Sequence, residues 1–218
     1  MIFKNSQQDI ILNEGDAIKV VGLKVSGGAD SALVAYMLSK YVVEERPDIK
    51  IIPVTTIHAE KPYQEIYAKR VIEFLKKEFG NIYGHHYINT AVDSEDYIPA
   101  QDRIWMEAYH AEGLQMNYSG ITGNPPKEVM DTFKDSGPSD NRNGKNFPIT
   151  IKNSRRHLVN IDKKGVAELY ESLDLMDTLF PITRSCEAFE RWKTYDIDKH
   201  CGNCWWCEER YWGFNRYV

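Results

Sequence analysis

The sequence predicts an α/β fold with a doubly wound, mainly parallel sheet and a small C-terminal module that contains four cysteines. Three observations predict it. Strand-like and helix-like patterns alternate over the first half of the chain, a glycine-rich turn joins one strand to one helix, and all the cysteines lie in residues 186–207. Strands that alternate with helices form parallel sheets, whose functional sites lie beyond the carboxyl ends of the strands.

The predicted elements follow in chain order from their apolar patterns. Strands are short apolar runs bounded by turn residues, and helices have apolar residues at intervals of three or four. The strands are predicted at residues 18–25, 49–57, 82–88 and 116–122. The helices are predicted at residues 31–43, 63–79, 98–114 and 163–173, with Pro99 in the first turn of the third.

Residues 124–153 break this alternation. They contain the runs PP, SGPSDNRNG and NFP, which are typical of irregular chain. A long segment without secondary structure is unusual in a compact domain unless it is functional, so we expect a lid or loop there. The predicted domains are residues 1–183, which bind a nucleotide, and residues 184–218, which bind a metal.

Composition and charge exclude several classes of partner. The chain has 218 residues, a net charge of -5 and a pI of about 5.7, which gives no overall positive field for nucleic acid or an anionic membrane. The N-terminus lacks the basic and apolar regions of a signal peptide, and no apolar run approaches the ~20 residues that cross a bilayer. We therefore expect a cytoplasmic protein with neither a membrane nor a nucleic-acid partner.

The turn at residues 26–31, Ser-Gly-Gly-Ala-Asp-Ser, has the context of a phosphate-binding loop, because it follows a predicted strand and opens a predicted helix. Glycines let the backbone approach a ligand, and the first N–H groups of a helix attract an anion. Ser26 and Ser31 add hydroxyl donors, whereas Asp30 suits a bound Mg²⁺ or a helix cap. The turn is neither a Walker A loop nor G-x-G-x-x-G, and an ordinary strand-to-helix connection is the structural alternative.

The cysteines Cys201, Cys204 and Cys207 form two consecutive C-x-x-C spacings, and Cys186 lies upstream of them. Four thiolates fit a closed, tetrahedral, structural Zn²⁺ site. An iron–sulfur cluster is the competing interpretation. In a reducing compartment a cysteine cluster of this kind favours a metal over disulfides.

Residues 26–31 resemble S-G-G-x-D-S, the pyrophosphate loop of the ATP pyrophosphatase (PP-loop) superfamily. The resemblance implies an adenine nucleotide α-hydrolase fold and an enzyme that cleaves ATP between the α and β phosphates to form an adenylate. The catalytic residues that it implies are Ser26, Asp30 and Ser31. The ATP-binding residues that it implies are Val25, Ser26, Gly27, Gly28, Ala29, Asp30 and Ser31 in the loop, and Thr55, Thr56 and Ile57 at the end of the second strand.

The C-terminal segments are similar to those of the 7-cyano-7-deazaguanine synthase family. They are TRSCE at residues 183–187 and CGNCWWCEERYWGF at residues 201–214, where the family has T-x-S-C and C-G-x-C-x-x-C-x-x-R-x-x-G-F. The segment GITGN at residues 120–124 lies where the family has its substrate loop. The zinc ligands that the resemblance implies are Cys186, Cys201, Cys204 and Cys207. The substrate residues that it suggests are Arg103, Gly120, Thr122 and Asn124.

This second resemblance implies an ATP-dependent C–N ligase. ATP would adenylate the carboxylate of 7-carboxy-7-deazaguanine, and ammonia would displace AMP to give the amide. A second adenylation, on the amide oxygen, would allow dehydration to the nitrile, 7-cyano-7-deazaguanine, in the biosynthesis of queuosine and related deazapurines. ATP, Mg²⁺ and Zn²⁺ are the implied cofactors, and a homodimer is the implied assembly.

Several segments depart from the family's pattern and leave the acceptor open. Residues 57–65 are IHAEKPYQE where the family has D-Y-G-Q-R-H, residues 99–102 are PAQD where it has P-G-R-N, and residues 124–147 replace another family segment. Three alternatives therefore stand beside the synthase. They are an adenylating enzyme with another acceptor, such as one that conjugates a deazaguanine to a protein, a tRNA sulfur-transfer enzyme, and a nucleotide-binding subunit without catalysis.

Single basic residues are further candidates at the site. Arg103, Lys127 and Arg184 could balance phosphate charge, although a surface role is the ordinary one for each. Arg210 matches the family's C-terminal motif, and we expect it to brace the cysteine module.

Overall fold

Five parallel strands form the central sheet of the computed structural model, which describes residues 1–59, 61, 63–134, 153–186 and 198–218. An antiparallel hairpin, β1 (Ile2–Phe3) and β2 (Ile10–Ile11), precedes it. The sheet strands are β3 (Val20–Lys24), β4 (Lys50–Ile57), β5 (Tyr87–Thr90), β6 (Met116–Tyr118) and β7 (Ser154–Arg155). The helices are α1 (Ala29–Glu45), α2 (Tyr63–Phe79), α3 (Tyr97–Glu112), α4 (Lys127–Met130), α5 (Lys163–Ser172) and α6 (Trp205–Phe214), and a 3₁₀ turn lies at Phe180–Ile182.

The strand order is β5-β4-β3-β6-β7, and every neighbouring pair is parallel. The chain moves outward from β3 through β4 to β5, and then returns by way of α3 to β6 on the other side of β3. The carboxyl ends of β3 and β6 therefore flank the point where the strand order reverses, which is where open α/β sheets bind ligands. The predicted doubly wound α/β fold is confirmed.

Two apolar layers cover the sheet. Side chains of α1, α2 and α5, such as the fully buried Leu33 and Leu169, share the main core with one face. On the opposite face, Trp105 of α3 packs with Ile52 and Val54 of β4. Because successive side chains of a strand point to opposite faces, the residues at the strand ends are divided between these two layers.

Most predicted elements are confirmed with small shifts at their ends. The helix α2 spans the predicted residues 63–79, and α1 begins two residues before the predicted start at 31. The predicted strand at 82–88 is wrong in position, because its first part joins the sheet by only one bridge, between Tyr83 and Ile51, and the strand itself is β5.

Four further segments differ from the expectation. The strand β6 is shorter than the predicted 116–122, because the chain leaves the sheet after Tyr118. The hairpin β1–β2 and the helix α6 were not predicted, because each strand of the hairpin has only two residues and the apolar residues of α6 do not keep a helical spacing. Within the expected lid at residues 124–153, α4 lies near the start, and residues 135–152 lie outside the described residues.

Within the described part of the chain, no helix is both long and apolar enough to cross a bilayer.

Candidate functional site

The glycine-rich turn leaves the carboxyl end of β3 and enters α1 without a side-chain cap. The Ser31 hydroxyl donates to the Gly28 carbonyl oxygen at 3.0 Å and accepts the Ser26 N–H at 3.2 Å. The Ser26 and Ser31 hydroxyl oxygens lie 3.1 Å apart. These bonds fix the shape of the turn, while the N–H groups of the first helical turn have no acceptor within the helix. This arrangement suits an anion.

The two glycines of the turn have different environments. Gly27 has a φ of +80°, and a Cβ atom there would lie 2.5 Å from the Tyr67 Cβ atom, so the fold itself requires glycine at this position. Gly28 has a φ of -80°. A Cβ atom at Gly28 would meet the Ser26 Oγ at 3.5 Å and the Arg184 carbonyl oxygen at 3.6 Å, which are ordinary contacts. Nothing in the described fold therefore requires glycine at position 28.

The segment after β6 packs against the glycine-rich turn, backbone on backbone. A Cβ atom at Gly120 would lie 2.5 Å from the Ser31 nitrogen and 2.6 Å from the Asp30 carbonyl carbon. Only glycine allows an approach this close. The structure thus brings the expected substrate loop and the expected phosphate loop together at the switch point of the sheet.

A cavity of about 150 Å³ lies beside the turn. It is lined by residues from the turn, from the starts of α2 and α5, from the segment before Cys186, and from α6. These residues are Ser26, Gly28, Asp30, Tyr63, Gln64, Lys163, Arg184, Ser185, Trp206 and Glu209. Two cations and two carboxylates are among them, so the formal charge of the lining side chains is zero.

Asp30 forms an ion pair rather than a helix cap. The Lys163 Nζ lies 2.7 Å and 2.6 Å from the two Asp30 carboxylate oxygens. The Lys163 side chain is only 3% exposed, and its Nζ also lies 3.6 Å from a carboxylate oxygen of Glu209. Gly213 of α6 makes room for this lysine, because a Cβ atom there would lie 2.4 Å from the Lys163 Cγ.

Arg184 joins the cysteine module to the glycine-rich turn. Its backbone N–H donates to the Gly27 carbonyl oxygen at 2.9 Å. Its buried guanidinium lies 4.9 Å from the centre of the Tyr63 ring, and the Tyr63 hydroxyl donates to the Cys186 carbonyl oxygen. Of the three basic candidates, Arg184 is the one that lines the cavity.

Thr55 braces the base of the turn. Its hydroxyl donates to the Val25 carbonyl oxygen at 2.6 Å and lies 2.8 Å from the His86 Nε2. Since the one hydroxyl hydrogen is used at Val25, we assign the His86 proton to Nε2, which donates to Thr55. Burial, with a smaller effect of nearby lysines, lowers the pKa of His86 to about 4, so this imidazole is neutral at pH 7.

The other expected nucleotide residues are buried at the same edge. Thr56 and Ile57 end β4 with 5% exposure each. Ala29 is buried as well, and its carbonyl oxygen accepts the Tyr170 hydroxyl at 2.8 Å.

Two of the expected basic residues pair along their own helices instead. Arg103 is exposed and lies 2.9 Å from Asp96, and Lys127 is exposed and lies 2.5 Å from Asp131. Neither lines the cavity.

Two expected substrate residues follow Gly120 on the chain. Thr122 is buried, and its hydroxyl has no hydrogen-bond partner among the described residues. Asn124 lies in the same segment, shortly before α4.

The four cysteine side chains converge on one point. Their Sγ atoms all lie within 4.8 Å of one another, in Cys186, Cys201, Cys204 and Cys207. The backbone N–H groups of Asn203 and Cys204 donate to the Cys201 Sγ at 3.4 Å and 3.3 Å, as the C-x-x-C spacing predicts. The neighbouring thiols of Cys186 and Cys204, together with burial, raise the pKa of the Cys207 thiol far above its ordinary value.

The sulfur spacing fits a single metal ion. Tetrahedral bonds of about 2.3 Å place two sulfur ligands about 3.8 Å apart, and the Cys201 and Cys207 Sγ atoms lie 3.9 Å apart. A four-iron cluster puts a cube of iron and sulfide between its thiolates and so separates them more widely. A bound cation would also stabilise the thiolates that burial disfavours.

Arg210 braces the module, as expected. Its fully buried guanidinium donates to the Thr183 Oγ1 at 3.0 Å and the Phe180 carbonyl oxygen at 3.2 Å, and its Nε donates to the Tyr217 carbonyl oxygen at 2.8 Å. Burial lowers the pKa of Arg210 to about 10, which leaves it charged at pH 7. Phe214, at the end of the same helix, lies in the main core.

The sequence did not single out Lys163, Tyr63, Trp206 or Glu209 as site residues. Lys163 begins an ordinary amphipathic helix, and it meets Asp30 across 133 positions of chain, so no local pattern marks it. Trp206 did carry a signal, because it lies between two of the four cysteines that converge and must therefore stay near them.

No protein-family model matches the chain, and no curated protein matches it. Among solved structures, the chain is similar to the U34-tRNA thiolase NcsA from Methanococcus maripaludis with its [4Fe-4S] cluster. The two are 17% identical with a TM-score of 0.49, over 93% of this chain and 72% of that chain. A likeness at this level leaves function to be argued from the site itself.

Proposed function

We propose that this chain is an ATP-dependent enzyme of the PP-loop type that adenylates 7-carboxy-7-deazaguanine and converts it, with ammonia, to the amide and then the nitrile. The glycine at position 28 carries the ATP-binding part of the proposal, and the resemblance of the C-terminal segments carries the choice of acceptor. It lines the cavity at the N-terminus of α1, although the fold around it would accept a side chain. A position without a side chain, beside free helical N–H groups, lets a phosphate approach the backbone.

The charges of the cavity support a nucleotide that arrives with a divalent cation. Lys163 and Arg184 are offset by Asp30 and Glu209, so the triphosphate of ATP brings negative charge that the side chains do not neutralise. The two carboxylates are oxygen ligands of the kind that Mg²⁺ prefers. Asp30 would hold the ion together with phosphate oxygens, and the ion would supply charge neutralisation.

The proposed first step is attack by an acceptor carboxylate oxygen on the α-phosphorus of ATP. The new C(O)–O–P linkage forms as the bond from the α-phosphorus to the pyrophosphate oxygen breaks, and the pyrophosphate leaves with the electron pair. Lys163, Arg184 and the N–H groups of the turn stabilise the charge that develops on this leaving group. The Ser26 and Ser31 hydroxyls hold the turn in the shape that presents those N–H groups. Thr56 and Ile57 would contact the adenine.

We propose Zn²⁺ as the ion of the cysteine cluster, with a structural role. The sulfur spacing favours one tetrahedral ion, and all four cysteines of the chain are used in that site. No cysteine is therefore left over to carry sulfur to an acceptor, which disfavours sulfur transfer by a persulfide. The resemblance also leads us to expect a homodimer, which light scattering would test.

The test is turnover by the purified chain with ATP, Mg²⁺, ammonium and 7-carboxy-7-deazaguanine. We expect AMP and pyrophosphate in equal amounts, with the amide and then the nitrile detected by mass spectrometry. Asp30→Asn should lose this turnover while its metal content stays at wild-type level.

Three outcomes would redirect the proposal. AMP that forms only with another acceptor, such as a tRNA with sulfide or a protein with a deazaguanine, would replace the substrate. Iron with acid-labile sulfide in the purified protein would refute the zinc. ADP in place of AMP would refute the adenylation.

A further inference from the structure

A second cationic position lies at the same edge of the sheet, outside the phosphate cavity. Lys24 is the last residue of β3, two positions before Ser26. It shares the sheet face of Gly22, where a Cβ atom would meet Trp105 of α3 at 2.3 Å, so Lys24 projects to the α3 side. The glycine-rich turn goes to the α1 side. The Lys24 side chain and the glycine-rich turn therefore lie on opposite sides of the crevice at the switch point.

The surroundings of Lys24 disfavour its charge. The side chain is half-buried, and its Nζ donates to the Gln101 Oε1 of α3. Among the described residues, no carboxylate pairs with Lys24. Burial and then the like charge of Arg156, directly after β7, lower the pKa of Lys24 to about 8. A cation in such a place stays costly until an anion joins it.

The two consecutive arginines Arg155 and Arg156 have different surroundings. Arg155 points to the other layer, where its guanidinium binds the buried Glu14 at 2.9 Å and 3.3 Å. The positive charge of Arg156, the next residue, adds to the burial that lowers the pKa of Lys24. Lys24 ends β3 and Arg156 follows β7, and these are the two strands that flank β6 in the sheet.

We propose that Lys24, aided by the positive charge of Arg156, binds the carboxylate of the acceptor in the first adenylation, so that the acid binds more tightly than the neutral amide that reacts in the second. The inference rests on the proposed adenylation and deepens it by assigning the acceptor site. The position suits this role, because the carboxylate must reach the α-phosphorus from the side opposite the leaving pyrophosphate. The Gln101 contact gives Lys24 a fixed direction while leaving its charge unmatched.

The first experiment compares wild-type, Lys24→Met and Lys50→Met proteins. Lys50 is a matched control, because it is an exposed lysine that begins β4 at the opposite edge of the sheet and pairs with Glu112. Affinities are measured by calorimetry for a non-hydrolysable ATP analogue, for 7-carboxy-7-deazaguanine and for its carboxamide. We expect Lys24→Met to bind the nucleotide within about threefold of wild type. It should lose about 10- to 150-fold in affinity for the acid, the worth of one charged hydrogen bond, and little for the amide.

An acid-to-amide preference that survives in Lys24→Met would overturn the proposal. A loss of nucleotide affinity equal to the loss for the acid would also overturn it, since Lys24 would then serve the phosphates of ATP. Lys50→Met should behave as wild type in every measurement.

A second experiment does not depend on the identity of the acceptor. Lysines are labelled by reductive ¹³C-methylation, and the Lys24 signal is assigned by its loss in Lys24→Met. With the nucleotide analogue bound, benzoate serves as a simple aromatic carboxylate, beside 7-carboxy-7-deazaguanine. A rise in the Lys24 pKa with either carboxylate supports the anion site, and a rise with benzoate alone supports it while rejecting the proposed acceptor. A pKa that neither carboxylate changes, in protein that still binds the nucleotide, refutes the site.

Discussion

Replacement of Gly28 by alanine separates a ligand's need for glycine from the fold's need for it. The added methyl group meets only ordinary contacts, at 3.5 Å and 3.6 Å, and the φ of -80° is open to alanine. Alanine is a poorer helix N-cap than glycine by up to about 1 kcal/mol. The gain from a less flexible unfolded chain, about 0.4–1 kcal/mol, offsets this loss. We therefore expect the free energy of unfolding to change by less than about 1 kcal/mol.

Nucleotide binding should respond much more strongly. The methyl group would stand between a phosphate and the N–H groups of the turn, and the loss of one charged hydrogen bond costs about 1.5–3 kcal/mol. That corresponds to a loss of about 10- to 150-fold in affinity for Mg²⁺-ATP. Calorimetric titration measures the affinity, and urea unfolding of the same samples measures stability.

Two other glycines provide the comparison. Gly27→Ala should destabilise the fold, because the positive φ costs about 1–2 kcal/mol and the contact at 2.5 Å from the Tyr67 Cβ adds overpacking. Gly15→Ala, with nothing within 4 Å, should change neither property. Wild-type affinity for ATP in Gly28→Ala would refute the phosphate site. Destabilisation of Gly28→Ala as large as that of Gly27→Ala would refute the claim that the fold tolerates a side chain there.

Three further predictions concern the surroundings of the cavity. Lys163→Met removes the buried ammonium group that pairs with the Asp30 carboxylate, so urea unfolding should show a loss of about 3 kcal/mol or more, whereas the exposed Lys164→Met should show almost none. Cys207→Ser should lower the bound metal, measured by elemental analysis, and also weaken ATP binding, because the module supplies part of the cavity wall; full ATP affinity in metal-free protein would contradict this coupling. The contribution of His86 to stability should fall by up to about 3 kcal/mol as the pH drops from 6.5 to 4, because the unfolded chain takes up a proton on His86 that the folded chain refuses. The substitution His86→Gln should reduce the pH dependence of unfolding by that amount.

The fold was predictable because its signals are local. The alternation of buried strands and amphipathic helices needs only a window of about a dozen residues, and the glycine-rich turn and the C-x-x-C spacings are shorter still. The position of β5 was not predictable, since residues 82–88 and β5 are similarly apolar. Residues 87–90 pair with β4 along their whole length, whereas the residues before them make only one bridge, at Tyr83. This long-range pairing determines where the strand lies.

The cavity wall was only partly predictable. Residues of the turn at 26–31 line the cavity, where the motif led us to expect a ligand. Arg184 was one of three basic candidates, and no motif distinguished it from the two that do not line the cavity. Lys163 depends on the packing of α5 against α6, in which Gly213 admits its stem, and that contact joins segments far apart in sequence. Arg103 was expected near the substrate and does not line the cavity, because it forms an ion pair with the nearby Asp96 carboxylate.

The central claim is that the turn after β3 holds the phosphates of ATP in the cavity. A crystal structure with α,β-methylene-ATP and Mg²⁺ tests it most directly, because this analogue cannot be cleaved between the α and β phosphates. We expect its phosphates at the backbone of Gly28, within reach of Lys163 and Arg184. A nucleotide bound elsewhere, with the cavity filled only by solvent, would contradict the account.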